Sequence, residues 1–229
     1  MKRYIIIIAL GVFVGAGMFS CAEMDDPYRE LIVPNGIFYP AKVREAKVKP
    51  GFYRAAIDLM PNADLSVVKA RIYWNNYTEW AEFDIPAGAD SVRCEVDSLS
   101  ETTYTFMIHT RDINGNESVP TEASGSVYGD LYAGMLYPRS VASSVLTGQQ
   151  LAITWQDAQG ATMLYSTVSY TDHTNPSAPV RKNYRVQNTQ STTILTGVKS
   201  GESFSVVSVF LPEKGLDPVE SRAVSYHSE

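Results

Sequence analysis

Cysteine is almost missing from this sequence. Only Cys21 and Cys94 occur among 229 residues, so a disulfide framework is excluded. Histidine is as scarce. His109, His173 and His227 stand far apart, with no second histidine or thiol at the spacing a zinc site needs. Clustered positive charge is lacking too: the net charge is -6 and the basic residues are scattered. No basic patch is left to neutralise phosphates, which argues against nucleic acid as a partner. Beyond the first residues there is no heptad and no sustained helical period. A Gly-x-Ser-x-Gly elbow is also absent. No catalytic residue, cofactor or metal is therefore assigned.

Local chemistry that could suggest otherwise has simpler explanations. Cys94 alternates with Val92 and Val96, as a small hydrophobe on a buried strand does. Asp112, Asn114 and Asn116 have the one-three-five spacing of a calcium loop. The glycine, however, stands fourth and Ala123 occupies the twelfth position, where a bidentate acid belongs. Turn formation accounts for the segment. Glu79, Glu82 and Asp84 read as an acidic strip on a solvated face. A glycosidase pair would need two carboxyls held about 5–10 Å apart in a cleft, which sequence cannot show.

What the chain has in abundance lies first at its start. Lys2 and Arg3 precede an apolar run over residues 4–14, then Gly15, Ala16 and Gly17, then Ser20-Cys21. A charged start, an apolar stretch and a small residue before a cut describe an export signal, and the stretch is short for a membrane span of about 20 residues. Ser20-Cys21 resembles the bacterial lipobox, which implies lipidation of Cys21 and a membrane anchor. Cleavage near Ala16 and an uncleaved anchor are the alternatives. Ala22-Glu23-Met24-Asp25-Asp26 lacks aspartate directly after the cysteine and resembles the surface-export signal of Bacteroidetes lipoproteins. The expected place is the outer membrane, lipid-anchored at the cell surface.

Downstream, short alternating runs are separated by Gly, Pro, Asn and Asp, the pattern of an all-β chain. Strands are expected over residues 54–59, 68–75, 80–85, 92–96 and 104–111, with a last one near 124–128. The second half repeats the plan through Leu151, Ile153 and Trp155, then 164–170 and 180–186. Leu99, Tyr104, Phe106 and Ile108 resemble the corner of fibronectin type III and immunoglobulin-like domains, where a tyrosine hydroxyl bonds back to upstream backbone. Val198 to Phe204 resembles that corner with phenylalanine in place of tyrosine. The expected organisation is a signal peptide over 1–20, a lipidated tether over 21–34, and two tandem β-sandwiches over 35–129 and 130–229.

Ala70-Arg71-Ile72-Tyr73-Trp74-Asn75-Asn76, Thr103-Tyr104-Thr105-Phe106, Asp112, Gly115 to Pro120 and Val127-Tyr128-Gly129-Asp130 carry a narrower likeness. From Ala41 to about Val141 the chain resembles an uncharacterised Bacteroidetes lipoprotein family. That likeness implies a cell-surface location beside glycan-uptake systems, with outer-membrane transporter components as neighbours, and no reaction.

The feature with most binding chemistry is Tyr73-Trp74-Asn75-Asn76-Tyr77-Thr78-Glu79-Trp80. Ala70, Ile72 and Trp74 read as one core face, and Ala81, Phe83 and Ile85 as another, which leaves Trp80 outward. If the two strands form a hairpin, Tyr73, Tyr77 and Trp80 crowd one exposed end beside Asn75 and Asn76. Such rings suit the flat C–H faces of sugars. They could equally cover the sheet or pack on the second domain. The expectation is a non-catalytic accessory polysaccharide-binding lipoprotein, with a protein-interaction or scaffold module as the alternative.

Overall fold

Alternating burial along each strand puts one set of side chains into a core and the other into solvent. The computed structural model describes residue 36, residues 38–158 and residues 162–228. The expected export leader, Cys21 and the expected tether lie outside the described residues.

The first half folds as β1 (Glu45–Pro50), β2 (Arg54–Met60), β3 (Val67–Trp74), β4 (Glu79–Asp84), β5 (Val92–Asp97), β6 (Thr103–Asp112) and β7 (Thr121–Ser126). They form a three-stranded layer in the order β1-β2-β5 and a four-stranded layer in the order β4-β3-β6-β7. Ile57 and Leu59 of β2 and Cys94 and Val96 of β5 meet Ile72 and Trp74 of β3 and Phe106 and Ile108 of β6 in one core. Burial pushes the Cys94 thiol up to about 12, so it packs as a hydrophobe and not as a nucleophile. At the corner before β6, the Tyr104 hydroxyl accepts the Ser100 backbone N–H at 3.0 Å.

After the short helix α1 (Asp130–Met135) the plan repeats. The strands are β8 (Val141–Thr147), β9 (Gln150–Trp155), β10 (Met163–Asp172), β11 (Val180–Gln187), β12 (Thr192–Thr196), β13 (Ser203–Phe210), β14 (Val219–Glu220) and β15 (Val224–His227). The layers are β12-β9-β8 and β11-β10-β13-β14, with β15 also paired to β13. Leu151, Ile153, Trp155, Val168, Leu195, Phe204 and Val206 fill a separate second core. Trp155 donates its indole N–H to Thr193 Oγ1 at 2.9 Å, which satisfies its one polar atom inside the core. At the second corner Phe204 has no hydroxyl to bond and stacks on Tyr226, centroids 5.5 Å apart. The fold is all-β: two immunoglobulin-like, fibronectin type III-like sandwiches in tandem.

The halves are clasped together. Asp217, in the turn between β13 and β14, accepts from Phe52 N at 3.0 Å and from Arg54 Nε and Nη2 at 2.9 and 2.7 Å. The hydrogen-bonded Arg54 guanidinium holds the Asp217 carboxyl below the usual carboxylate range, against its partial burial. The Tyr128 hydroxyl donates to Asp217 O and accepts Asp217 N–H, and Leu216 N–H donates to Pro50 O at 2.8 Å. Glu101 accepts the Leu131 and Tyr132 backbone N–H groups of α1 at 2.8 and 2.7 Å. A Cβ on Gly129 would stand 2.6 Å from the Tyr53 ring, so only glycine lets the chain enter α1 this close.

The turn expected at Asp112 to Asn116 forms, and the acidic strip needs correction. Residues 112–116 close a turn after β6: Asp112 N–H donates to Asn116 O at 3.2 Å, and Arg111 pairs with Glu117 in an antiparallel bridge. Asp112 closes it by accepting Asn114 N, Asn116 N and Asn116 Nδ2, an Asx-type staple in which only Gly115 takes positive φ. Glu79, Glu82 and Asp84 are not one strip. Alternation puts Glu82 and Asp84 on the outer face with Trp80, while Glu79 accepts the Trp74 indole N–H at 2.5 Å.

Candidate functional site

The outer face of the β4-β3-β6 layer is a grid set by register. Tyr73 stands opposite Trp80 on one side and Met107 on the other; Arg71 lies between Glu82 and His109, and Lys69 between Asp84 and Arg111. One row is therefore aromatic and the next two are ionic.

The β3-β4 hairpin turns through Asn75, Asn76 and Tyr77, all with positive φ (49, 54 and 64°). Asparagine tolerates this region, but tyrosine enters it at a cost. Thr78 secures the turn, donating its N–H and its hydroxyl to Asn75 O at 3.2 and 2.7 Å. The left-handed step swings the Tyr77 ring back over the sheet, 4.9 Å from the Tyr73 ring and 5.9 Å from the His109 ring. His109 Nδ1 is 2.8 Å from Ser118 O, and a carbonyl only accepts, so Nδ1 carries the proton. In the neutral imidazole Nε2 then accepts the Tyr77 hydroxyl, 3.2 Å away.

Trp80 is 53% exposed and Tyr77 47% exposed, while Tyr73 is half-buried beneath them. The rings do not vanish under the second sandwich. Arg71 lies over the Trp80 ring at 4.5 Å from its centroid, a cation–π contact that covers one indole face. The cations beside the rings are consumed locally. Glu82 accepts from Lys69 at 2.7 Å, Arg71 at 2.9 Å and Arg111 at 3.0 Å. Those hydrogen bonds, Lys69 first, lower the Glu82 carboxyl to about 2. The platform is thus apolar in its rings and balanced in its charges.

Of the residues singled out from sequence, Tyr73, Tyr77 and Trp80 come together. Asn75 does not offer its amide outward: Nδ2 donates to Glu79 Oε1 at 3.1 Å, because the turn folds it back over β4. Asn76 is exposed at the tip. His109 and Arg71 were missed as members. Their membership depends on the β3-β6 and β3-β4 registers, although the outward alternation of His109 with Phe106 and Ile108 was visible.

Elsewhere, a cavity of about 340 Å³ opens between the β2-β3 and β4-β5 loops, lined by Asp64, Leu65, Pro86 and Asp90 among others. Asp64 there is occupied in accepting from Ala41 N, Ser66 N and Ser66 Oγ. Among the described residues, no group of three or more His, Cys, Asp or Glu is placed to hold a metal ion. None of the described helices is long and apolar enough to cross a membrane.

The chain is similar in part to the FN1–FN3 domains of chicken CNTN1, at 14% identity and a TM-score of 0.40, over 85% of this chain and 67% of that one. It is also similar to a two-domain fibronectin type III segment of chicken tenascin, at 18% identity and a TM-score of 0.33, over 81% and 98%. A comparison with curated proteins gives no match. Residues 21–218 match DUF4998, described as a domain of unknown function, and the chain belongs to that family.

Proposed function

We propose that this protein is a non-catalytic, lipid-anchored lipoprotein of the bacterial outer surface that binds polysaccharide. The anchor is Cys21, left after removal of the leader, and a glycan-uptake system of the outer membrane is its setting. The observation that carries the glycan reading is the row of Tyr73, Tyr77 and Trp80. Two of its rings are about half exposed, at a hairpin tip that forces a tyrosine into the left-handed region. A backbone position that costs energy persists where the surroundings fix it, and such positions cluster at ligand sites. The paired charges around the rings suit a neutral chain of sugars, whose C–H faces lie on aromatics.

The test is affinity electrophoresis of the chain from Ala22 onward through gels containing neutral glycans, beside Trp80→Ala. Retardation by one glycan, lost in the folded variant, supports the reading; no retardation by any member of the panel rejects it for that panel. A second reading, a protein-interaction module, is favoured by Leu131, Met135 and Tyr137 in and after α1, which are 74%, 69% and 60% exposed. Leu131 and Met135 share one side of the helix and could anchor a partner protein. Crosslinking from α1 in cells separates the two.

A further inference from the structure

The four-stranded layer of the second sandwich has an outer face of quite different chemistry. On β11, the outward residues are Arg181, Asn183, Arg185 and Gln187; opposite them on β10 stand Thr171, Ser169, Thr167 and Tyr165. Ser169 in turn faces Ser205 of β13, which faces Ser225 of β15, and Ser203 faces His227. Hydroxyls thus run across three strands, β10, β13 and β15, and the row is continued on β11 by Asn183, which stands between the two arginines. Ser169 donates to Asn183 Oδ1 at 2.7 Å, and Arg181 Nη2 reaches Ser205 Oγ at 3.4 Å.

The arginines on this face lack carboxylate partners among the described residues. Lys182, between them in sequence, points to the other side and is held by Asp172. Glu220 is the one described carboxylate in the same rows. It stands opposite Val209 at the far edge, three strands and about 14 Å from β11. Arg185 lies over Tyr165 with its guanidinium carbon 3.5 Å from the ring centroid. Stacking holds the guanidinium flat and leaves its in-plane N–H groups free for a bidentate anion. Arg181 and Arg185 are four residues apart on one strand, about 13 Å, so one rigid small anion cannot bridge them.

We propose that this face is a second ligand surface, and that its ligand is an acidic polysaccharide carrying carboxylate or sulfate groups. Spaced anions along a chain meet the two guanidinium groups, and the sugar hydroxyls lie on the serine and threonine rows between them. Nucleic acid and anionic membrane fit less well, because each draws on many cations and this face offers two arginines in a chain of net charge -6. The proposal uses a different face and a different glycan class from the aromatic platform, and does not depend on that site being correct.

The test uses the chain from Ala22 onward, which contains both cores whole. Native affinity gels contain polygalacturonate, dextran sulfate or plain dextran, at low and high salt, and flotation uses vesicles containing phosphatidylglycerol. Retardation by an acidic glycan but not by dextran is expected, weakening at high salt. The double variant Arg181→Gln/Arg185→Gln should bind about tenfold more weakly, from a few-fold loss per exposed charge contact. Trp80→Ala should not change acidic-glycan binding. Arg93→Gln, which removes an exposed arginine paired with Asp58, controls for charge loss, and thermal unfolding checks each fold. The proposal is overturned by any of four results: no acidic glycan retards the chain; the double variant binds as well as the parent; Arg93→Gln loses as much; or the vesicles bind as tightly as the glycan. Failure of the aromatic platform would show separately, as an unchanged response of Trp80→Ala to neutral glycans.

Discussion

The two sandwiches have nearly the same strand order and treat their arginines oppositely. In the first, Arg54, Arg71, Arg93 and Arg111 each meet a carboxylate. In the second, Arg185 and Arg222 lie over tyrosine rings and Arg181 reaches a serine hydroxyl. Nearly the same strand order, with the last strand split into β14 and β15 in the second half, therefore carries two different outer faces. One has neutralised charge beside exposed aromatics, and the other has arginines with no carboxylate partner among the described residues, beside hydroxyls. Core and strand order set the scaffold, while the outward half of each strand is free to diverge. The lesson is that ligand chemistry has to be read face by face.

The strongest way to break the comparison is to unfold one half alone. Phe106 and Phe204 are fully enclosed in the first and second cores, and replacing either with alanine should cost about 3–5 kcal/mol. Calorimetry then shows whether the halves melt separately. With the Asp217 clasp intact, we expect the damaged half to drag the other, and a single transition moved to lower temperature. Two well-separated transitions would mean that the clasp does not couple them.

The clasp itself comes next. Asp217→Ala leaves Arg54 Nε and Nη2 and the Phe52 N–H without their acceptor, and should cost about 2–3 kcal/mol for a pair only partly enclosed. It should also split the melting curve in two. Its pH dependence has a definite sign. The Asp217 carboxyl is depressed in the folded chain, so its contribution is complete above the unfolded carboxylate pKa of about 4 and fades as pH falls toward the folded value. Acid titration of unfolding stability should therefore be shallower for Asp217→Ala than for the parent. Equal slopes would remove Asp217 from the account.

How much of this was legible follows from where each residue's partners lie. Strands with strong inward alternation, such as Ala70-Ile72-Trp74 and Tyr104-Phe106-Ile108, announce themselves within a few residues. Some edge strands do not, although β4, β5 and β11, also at edges, were anticipated. β1 carries Lys47, Lys49 and Pro50 around Ala46 and Val48, and polar edges of this kind protect against stray pairing while erasing the pattern. β8 and β12 were missed for the same reason. Tyr73 and Trp80 could be gathered because a hairpin joins them. The Arg71–Glu82 and Tyr77–His109 contacts need a register that no local pattern supplies, and Asp217 meets Arg54 across 163 residues.

The two corners give a smaller, sharper contrast. Tyr104→Phe removes only the hydroxyl that accepts the Ser100 N–H and should cost about 1 kcal/mol. The second corner already has phenylalanine at the equivalent place and stacks it on Tyr226. If Tyr104→Phe is neutral, the first corner needs its hydroxyl no more than the second does. The difference between the sandwiches then lies wholly in their faces.

The smallest effect concerns the boundary between paired charge and exposed ring. Arg71 is bound to Glu82 and to Glu117 and lies over Trp80. It could act either as a lid on the indole or as a prop that holds it upright. The ion pairs anchor the guanidinium from the Glu82 side whether or not the ring is there, which favours the prop. Arg71→Gln should then weaken neutral-glycan binding about two- to fivefold, the worth of an exposed cation–π contact of about 0.5–1 kcal/mol. Trp80 fluorescence should shift to the red as the ring gains water, with little change in melting temperature. Tighter binding in the variant would make Arg71 a lid, and the first sandwich would then have a ligand face held partly closed by the same pairing that neutralises it.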